Sequence, residues 1–349
     1  MVGYLYVCAQ DDDKILVFAQ DTDTGGLTLQ QEIAAEGGPT VLAISPDQRT
    51  VYVGFRTVPA IASYRIGAGG GLTSRATVSV EHPPTFLACD QTGGYLLSAY
   101  YQGGGATVHP LGADGAVGAA AGAWIASAVG AHAIATDRSN RFAFVPHIAN
   151  LNDNVLEPRR ENPGPNKILQ FRFDAAIGRL SPNTPFEVIP AGRTGPRHFC
   201  FHPTRDVVYF SDEQGCSVTS YRLDPATGAL SSPRTVATLP DGFAGRNTCS
   251  QIHMTRSGRF LYVPNRGHNS IAGFAADPVT GDLTPVGHVA TEAVPSAFCL
   301  DPAGRFVYAA GTASGRLASY RVDEATGVLT PSTVYAAGQR PAAVLCVHM

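Results

Sequence analysis

The stretch "PRHFCFHPTRDVVYFSDE", residues 196–213, joins two apolar runs through a short polar turn. Runs of this length, rich in Val, Phe and Tyr and bounded by Pro, Asp or Ser, are typical of paired β-strands. The same form recurs in "PTVLAISPDQRTVYVGF" (39–55), "PTFLACDQTGGYLLSAY" (84–100), "AHAIATDRSNRFAFVPH" (131–147), "CSQIHMTRSGRFLYVPNR" (249–266) and "PSAFCLDPAGRFVYAAG" (295–311). The sequence therefore predicts six copies of one two-stranded hairpin.

A second repeated phrase places Gly just before a short apolar–polar alternation. Its seven copies are "DTDTGGLTL", "GAGGGLTS", "GADGAVGAA", "DAAIGRLSP", "DPATGALSS", "DPVTGDLTP" and "DEATGVLTP". Asp and Gly suit a tight turn because the Asp side chain can hydrogen-bond its own backbone and Gly tolerates positive φ. Each complete unit thus has four strands, and four-stranded units of about 45 residues repeated along a chain predict a β-propeller.

The two chain ends supply a seventh unit. The segment "GYLYVCAQ" (3–10) has the pattern of a second strand, and "RPAAVLCVHM" (340–349) has that of the missing first strand. Pairing of these segments would close the ring. We therefore predict an all-β fold, a seven-bladed β-propeller with four-stranded antiparallel blades, as a single domain over residues 1–349. The third unit is longer than its neighbours, and its excess, residues 150–166, is predicted to be an inserted loop.

Composition limits the classes of partner. The formal net charge is −3 and no run of Lys or Arg is present, so no nucleic-acid partner is expected. No apolar run approaches the length of a membrane span, and the N-terminus lacks the basic and apolar regions of a signal peptide. The seven cysteines are an odd number without C-x-x-C spacing, which favours free, buried thiols. We expect a cytoplasmic protein that does not bind membranes.

Equivalent positions in successive blades lie at the same height around the propeller axis. Aligned on the turn between the first two strands, the residues that begin the innermost strand are Thr40, Thr85, His132, Arg197, Ser250, Ser296 and Ala342. Those that end the second strand are Gln10, Arg56, Tyr101, His147, Glu213, Arg266 and Thr312. Because adjacent strands run antiparallel, both rings are predicted to border the same mouth of the central channel.

The charged ring members point to an anionic ligand. The Thr, Ser and Gln members are the polar ends expected of strands, and Arg197 with Glu213 in one blade could be a structural ion pair. Arg56, Arg197 and Arg266 with one glutamate nevertheless leave excess positive charge at the mouth, which a concave site of low dielectric focuses. The sequence predicts a small anion as the ligand.

These side chains suit acid–base chemistry beside an oxyanion. Glu213 or His132 could act as general base, while Arg197, assisted by Arg266, stabilises the oxyanion formed when water opens a lactone. The same groups could instead protonate an enol and add a carboxylate, which forms a lactone by cycloisomerisation. The chain has no Gly-x-Ser-x-Gly elbow, zinc-ligand spacing or P-loop, which argues against a covalent serine enzyme, a zinc hydrolase and an ATPase, and no cofactor is expected.

Several motifs together resemble a known family. "SPDQRTVYVGFR", "GPRHFCFHP", the Glu of "FSDEQGCSV", the Arg of "VPNRGHNSI" and the closing "GQRPAAVLCVH" are similar to motifs of the seven-bladed propeller lactonases, which include propeller-type bacterial 6-phosphogluconolactonases and fungal 3-carboxy-cis,cis-muconate lactonizing enzymes. The resemblance spans nearly the whole chain. It implies a metal-independent lactonase or cycloisomerase with His132, Arg197, Glu213 and Arg266 as catalytic residues.

The family pattern is altered near the mouth. His147 and the inserted loop replace a stretch that is usually short and often acidic, and Gln251 stands where relatives tend to have an acid. An unphosphorylated aldonic or aldaric lactone bearing a carboxylate is therefore as plausible a substrate as 6-phosphogluconolactone. The predicted substrate-binding residues are Arg56, Tyr101, His147, His198 and Gln251. Arg159, Arg160 and Lys167 are either further ligand contacts or solvated loop residues.

The leading interpretation is thus a cytoplasmic hydrolase of anionic sugar lactones in carbohydrate metabolism. A muconate-type cycloisomerase is the first alternative. A non-catalytic propeller that serves as a binding scaffold is the second, since the fold alone does not define a function.

Overall fold

Seven four-stranded antiparallel sheets build the molecule, together with one small two-stranded ladder. The computed structural model describes residues 2–122, 124–148, 150–152, 155, 160–162, 165–192 and 194–349. For residues 150–152 and 160–162 it describes the backbone alone. The described part of the chain contains a single turn of 3₁₀-helix, Gln10–Asp12, and otherwise strands and turns.

In chain order the strands are β1 (Gly3–Ala9), β2 (Lys14–Gln20), β3 (Leu27–Ala34), β4 (Pro39–Ile44), β5 (Thr50–Phe55), β6 (Ala60–Ile66), β7 (Leu72–Ser79), β8 (Phe86–Cys89), β9 (Tyr95–Tyr100), β10 (Gly105–Pro110), β11 (Ile125–Ala126), β12 (Ala135–Thr136), β13 (Phe142–His147), β14 (Asn150–Asn152), β15 (Arg160–Asn162), β16 (Lys167–Asp174), β17 (Arg179–Val188), β18 (Pro196–Phe201), β19 (Val207–Asp212), β20 (Ser217–Leu223), β21 (Leu230–Ala237), β22 (His253–Met254), β23 (Phe260–Asn265), β24 (Ser270–Ala276), β25 (Leu283–Ala290), β26 (Pro295–Leu300), β27 (Phe306–Gly311), β28 (Arg316–Val322), β29 (Leu329–Ala336) and β30 (Pro341–His348).

These strands form the predicted seven-bladed propeller. Blades 1 and 2 are β4–β7 and β8–β11, blade 3 is β12, β13, β16 and β17, and blades 4, 5 and 6 are β18–β21, β22–β25 and β26–β29. Blade 7 combines β30 with β1, β2 and β3, and β1 pairs with β30 from Gly3↔His348 to Ala9↔Pro341. The chain ends therefore close the ring, as the sequence predicts.

The repeated turns hold neighbouring blades together. In five of the seven blades, a buried Tyr on the second strand donates its hydroxyl hydrogen to the carbonyl of the turn glycine in the next blade. This bond joins Tyr6 to Gly70, Tyr52 to Gly115, Tyr209 to Gly281, Tyr262 to Gly327 and Tyr308 to Gly25, over 2.7–3.1 Å. These glycines have φ between 70° and 81°, which explains why the turn phrase requires Gly.

The insertion in blade 3 is described in part. Its backbone forms an antiparallel ladder between β14 and β15, from Asn150↔Asn162 to Asn152↔Arg160, where the sequence predicted a loop. Arg159 lies outside the described residues. Lys167 begins β16, and its Nζ lies 2.9 Å from Glu187 Oε1 on the neighbouring strand β17. Lys167 thus forms an ion pair within its own blade.

Candidate functional site

Bulges in the innermost strands orient one residue of each toward the channel. In β18, Pro196 pairs with Asp212 and His198 pairs with Ser211, so Arg197 between them has no cross-strand partner. Thr40, Ser296 and Ala342 occupy the same kind of position in blades 1, 6 and 7. A bulge re-aims a side chain and bends the strand, so the ring of inner-strand residues has a physical basis in the backbone.

The second ring is fixed by backbone hydrogen bonds to the loops at the mouth. In six of the seven blades, the residue that follows the second strand donates its N–H to a carbonyl of the loop that leads into the first strand; in blade 2, Tyr101 donates instead to Thr85 Oγ1 at 2.9 Å. These bonds join Arg56 to Gly38 (2.9 Å), Glu213 to Gly195 (2.7 Å) and Arg266 to Thr248 (2.9 Å). The two rings therefore meet at one end of the channel.

The channel is a cavity of about 630 Å³. All fourteen predicted ring positions line it except Ser250 and His147. Ser250 is instead buried, and its Oγ donates to the Pro295 carbonyl at 2.8 Å. Among the predicted substrate-binding residues, Arg56, Tyr101, His198 and Gln251 line the cavity. The volume is in the range of small-molecule sites.

A buried carboxylate links two arginines from neighbouring blades. Glu213 Oε2 lies 2.8 Å from Arg197 Nε, and Glu213 Oε1 lies 2.8 Å from Arg266 Nη2. Arg266 Nη2 also donates to the Cys249 carbonyl at 3.0 Å. All three charged side chains are nine-tenths buried or more. We call Arg197, Glu213 and Arg266 the paired wall; it carries one net positive charge on blades 4 and 5.

The paired wall retains unused donors. Arg197 Nη1 and Arg266 Nε are buried, and neither has a hydrogen-bond partner in the described part of the structure. Burial, followed by the proximity of Arg266, lowers the pKa of Arg197 to about 10, while Glu213 acts in the opposite direction. Arg197 thus remains a cation at neutral pH, with a donor available to a developing negative charge.

Two neutral imidazoles stand beside this cluster. The ring centroids of His132 and His198 are 5.0 Å apart, and His132 also meets the ring of Tyr101 edge-on at 5.6 Å. Burial, and then the charge of Arg197, holds the pKa of both histidines well below the usual 6.5. His132 is partly exposed to the cavity. A neutral imidazole can accept a proton, so a base faces the guanidinium of Arg197.

The prediction of His147 at the mouth is wrong by one residue. Ala131 bridges His147 across the sheet, and the next residue, Ile148, donates its N–H to the Gly130 carbonyl at 3.0 Å, as Glu213 does to Gly195. His147 is fully buried and contacts the Val145 carbonyl and Ser127 Oγ. Burial, and then Lys167, lowers its pKa to about 4. His147 therefore belongs to the interior of blade 3.

One charged residue of the mouth was missed by the sequence analysis. Arg340 lines the cavity and lies two residues before the bulge residue Ala342, outside both aligned rings. The signal was present in the closing phrase "GQRPAAVLCVH", because Arg340 precedes the proline that starts β30. Arg256 also lines the cavity; it lies in the turn after β22, and hence at the opposite end of the channel.

Gln251 has a backbone partner. Its Oε1 accepts the N–H of Phe298 at 3.0 Å, which leaves its amide hydrogens available at the cavity surface.

Within the described ranges, no group of three His, Cys, Asp or Glu side chains is arranged to hold a metal ion. The same ranges contain no helix that is long and apolar enough to span a membrane.

Comparisons with known proteins agree with the seven-bladed fold. A family model described as lactonase, seven-bladed β-propeller, matches residues 4–347. A 6-phosphogluconolactonase of Pectobacterium carotovorum is 33% identical over 301 residues, covering 86% of this chain and 85% of the relative. One of Serratia proteamaculans is 32% identical, covering 86% of each chain. A solved periplasmic gluconolactonase of Pseudomonas aeruginosa superposes with a TM-score of 0.87 at 25% identity, covering 100% of this chain and 99% of that one. The chain belongs to the seven-bladed β-propeller lactonase family, and the prediction of a lactonase is confirmed.

Proposed function

We propose that this lactonase hydrolyses an anionic sugar lactone, either 6-phosphogluconolactone or a carboxylated aldono- or aldarolactone. The observation that carries the proposal is the paired wall, Arg197–Glu213–Arg266, beside neutral His132 in one 630 Å³ cavity. The names of the relatives, 6-phosphogluconolactonase and gluconolactonase, support a sugar lactone. The excess of arginine at the mouth supports a negative charge on it.

In the first step, His132 accepts a proton from water as the water oxygen bonds to the lactone carbonyl carbon. The carbonyl oxygen becomes negative, and the free N–H groups of Arg197 stabilise it. Glu213 is already occupied by an arginine on each oxygen, so its role in this scheme is to orient both guanidinium groups. Oxyanion donors that are fixed in advance need no reorganisation during the reaction.

In the second step, the tetrahedral intermediate expels the ring oxygen. The C–O bond of the ring breaks, the carbonyl re-forms, and the leaving alkoxide takes the proton from protonated His132. The immediate products are a hydroxyl group and a carboxylic acid on one open chain, which balances the addition of one water molecule, and the acid then releases its proton to solvent to give the carboxylate. The burial that keeps His132 neutral also makes its protonated form a strong acid, which favours this proton return.

A lactone panel followed by pH-stat and NMR tests the proposal. The panel contains 6-phosphogluconolactone, gluconolactone, glucarolactone, galactarolactone and carboxymuconate. Wild type is expected to accelerate ring opening of at least one anionic lactone. Arg197→Met is expected to lower kcat by about 10²–10³-fold, the usual effect of losing an oxyanion donor. Arg256→Gln, at the other end of the channel, is the control and should retain wild-type kcat.

Other outcomes overturn parts of the proposal. Lactone formation from carboxymuconate without hydrolysis of any sugar lactone would establish the cycloisomerase. No turnover above the spontaneous rate would favour the scaffold. With His132 as base, the acid limb of kcat/KM lies below pH 6.5, because its pKa is lowered. If His132→Gln retains full activity while Glu213→Gln abolishes it, Glu213 is the base.

We also infer a cytoplasmic location. All seven cysteines are free, four of them fully buried and the others half-buried, which is usual in a reducing compartment. Fractionation of cells that express the native gene tests this inference, and recovery in a periplasmic or secreted fraction would overturn it.

A further inference from the structure

The side of the mouth opposite the paired wall carries two more arginines. Arg56 follows β5 of blade 1, and Arg340 precedes β30 of blade 7. Blades 1 and 7 are neighbours, since β30 packs against β4. The Arg340 carbonyl accepts the N–H of Gln10, the blade 7 residue of the second ring, at 3.3 Å. We call Arg56 and Arg340 the open wall.

The open wall has charge without counter-charge. Arg56 is exposed and Arg340 half-exposed, and both line the cavity. Neither guanidinium forms an ion pair or a side-chain hydrogen bond with any residue that the structure describes. In the paired wall, by contrast, Glu213 contacts both arginines. Two unpaired cations on neighbouring blades that line one concave site are suited to binding an anion.

The backbone of Arg340 is a second, independent observation. Its φ is 51°, a left-handed conformation that residues with a Cβ rarely adopt. The equivalent carbonyl accepts the N–H of the residue that follows the second strand in blades 1, 3, 4, 5 and 6. It belongs to Gly38, Gly130 and Gly195, all with positive φ, to Val294, with φ of 57°, and in blade 5 to Thr248, whose φ is not positive. The Val294 side chain is buried, whereas that of Arg340 faces the channel. An arginine at a position that favours glycine indicates a function for its side chain.

We infer that Arg56 and Arg340 form a second anion site, which binds a phosphate or carboxylate group of the substrate remote from the lactone carbonyl. This inference rests on the proposed function for the reacting end of the substrate. The paired wall and His132 act on the carbonyl, and the open wall holds the far end across the channel. The preferred substrate is then a lactone with an anionic group distant from its ring ester, and the open wall determines KM and specificity.

Matched lactones test the second site. Arg340→Gln, Arg56→Gln and the double variant are compared with Arg256→Gln, which removes the same charge from the same cavity at its other end. On 6-phosphogluconolactone and glucarolactone, each single substitution is expected to lower kcat/KM by roughly 10-fold, mainly through KM. The loss on neutral gluconolactone is expected to be at least several-fold smaller. Equal losses on neutral and anionic lactones, or an equal loss in Arg256→Gln, would overturn the inference.

Binding without turnover separates this inference from the proposed function. Calorimetric titration with 6-phosphogluconate, glucarate and inorganic phosphate should show weaker binding to Arg340→Gln than to wild type and Arg256→Gln. If no lactone is hydrolysed but this difference is found, the second anion site stands and the proposed function fails. If lactones are hydrolysed but Arg340→Gln binds all three anions as wild type does, the second site is wrong. Loss of phosphogluconate binding alone assigns the site to phosphate, and loss of glucarate binding alone assigns it to carboxylate.

Discussion

The two sides of the channel mouth carry the same cation in opposite settings. In the paired wall, Arg197 and Arg266 are buried and share Glu213 between them. In the open wall, Arg56 and Arg340 face the cavity and no described carboxylate pairs with them. A buried cation requires a counter-charge, whereas an exposed one is already solvated. The difference separates a rigid group of side chains suited to chemistry from a solvated pair suited to capturing a ligand.

Removal of the shared carboxylate should have the largest effect on stability. Glu213→Gln leaves two buried guanidinium groups without a counter-charge, and breaking a buried pair in this way typically costs about 3–5 kcal/mol. Unfolding in urea, followed by circular dichroism, measures the free energy change. The control is Glu32→Gln, the same substitution in the exposed pair of Lys14 Nζ and Glu32 Oε2 (2.7 Å), which should cost no more than about 1 kcal/mol. If Glu213→Gln and Glu32→Gln lower the free energy of unfolding equally, the paired wall is solvated.

Acid should destabilise the fold through His198, which lies beside the paired wall, and not through the open wall. His198, beside Arg197, is neutral in the fold because burial lowers its pKa well below 6.5. Below pH 6.5 the unfolded chain therefore takes up a proton that the folded chain does not. The free energy of unfolding consequently decreases as the pH is lowered, by up to about 1.4 kcal/mol per pH unit for this group. Asp212, whose pKa burial raises to about 6, offsets part of this loss.

Urea unfolding between pH 7.5 and 4.5 measures that slope. His198→Gln should flatten it, because the variant has no imidazole to protonate, and Arg340→Gln should keep the wild-type slope. A His198→Gln curve that runs parallel to wild type would mean that His198 is already charged in the fold.

Salt should act mainly on the open wall. Exposed charges are screened over about 10 Å at 0.1 M ionic strength, whereas buried pairs are screened much less. KM for an anionic lactone is therefore expected to rise roughly 3- to 10-fold between low and 0.5 M salt, with kcat nearly constant. The Arg56→Gln, Arg340→Gln double variant should show a smaller rise. If kcat falls with salt as steeply as KM rises, the chemistry depends on screened charges and the distinction between the walls fails.

The sequence was sufficient to predict the fold because the fold repeats. The turn glycines recur wherever a tyrosine of the preceding blade bonds to their carbonyl, so the same letters return at the same interval. Ring closure followed from the missing strand at each chain end. The ladder between β14 and β15 in the insertion does not repeat elsewhere, and its sequence has no alternation that would have indicated strands.

The sequence could predict only those site residues whose position follows from the alignment of the repeated units. Alignment of the repeats placed Arg197, Glu213 and Arg266 at one mouth, and the structure brings them into contact. The contact of Glu213 with Arg266 across two blades was not predicted, because it depends on side-chain reach and on the bulge at Arg197. His147 lies 15 residues after His132, whereas Glu213 lies 16 after Arg197. The regular spacing leads to Ile148, and the hydrogen bond of Ile148 to Gly130 defines this position in the structure.

Arg340 offers the smallest and most specific test, since stability and function should change in opposite directions. A left-handed residue with a Cβ costs about 1–2 kcal/mol relative to glycine in that conformation, and glycine costs about 0.5–1 kcal/mol more chain entropy on folding. Arg340→Gly should therefore stabilise the fold by roughly 0.5 kcal/mol while it weakens binding of the anionic lactone. Arg340→Ala, which keeps the strain but removes the guanidinium, is the matched control and should lose affinity without gaining stability. If Arg340→Gly lowers the urea midpoint instead, the arginine side chain stabilises the fold, and its unfavourable backbone conformation needs no ligand to explain it.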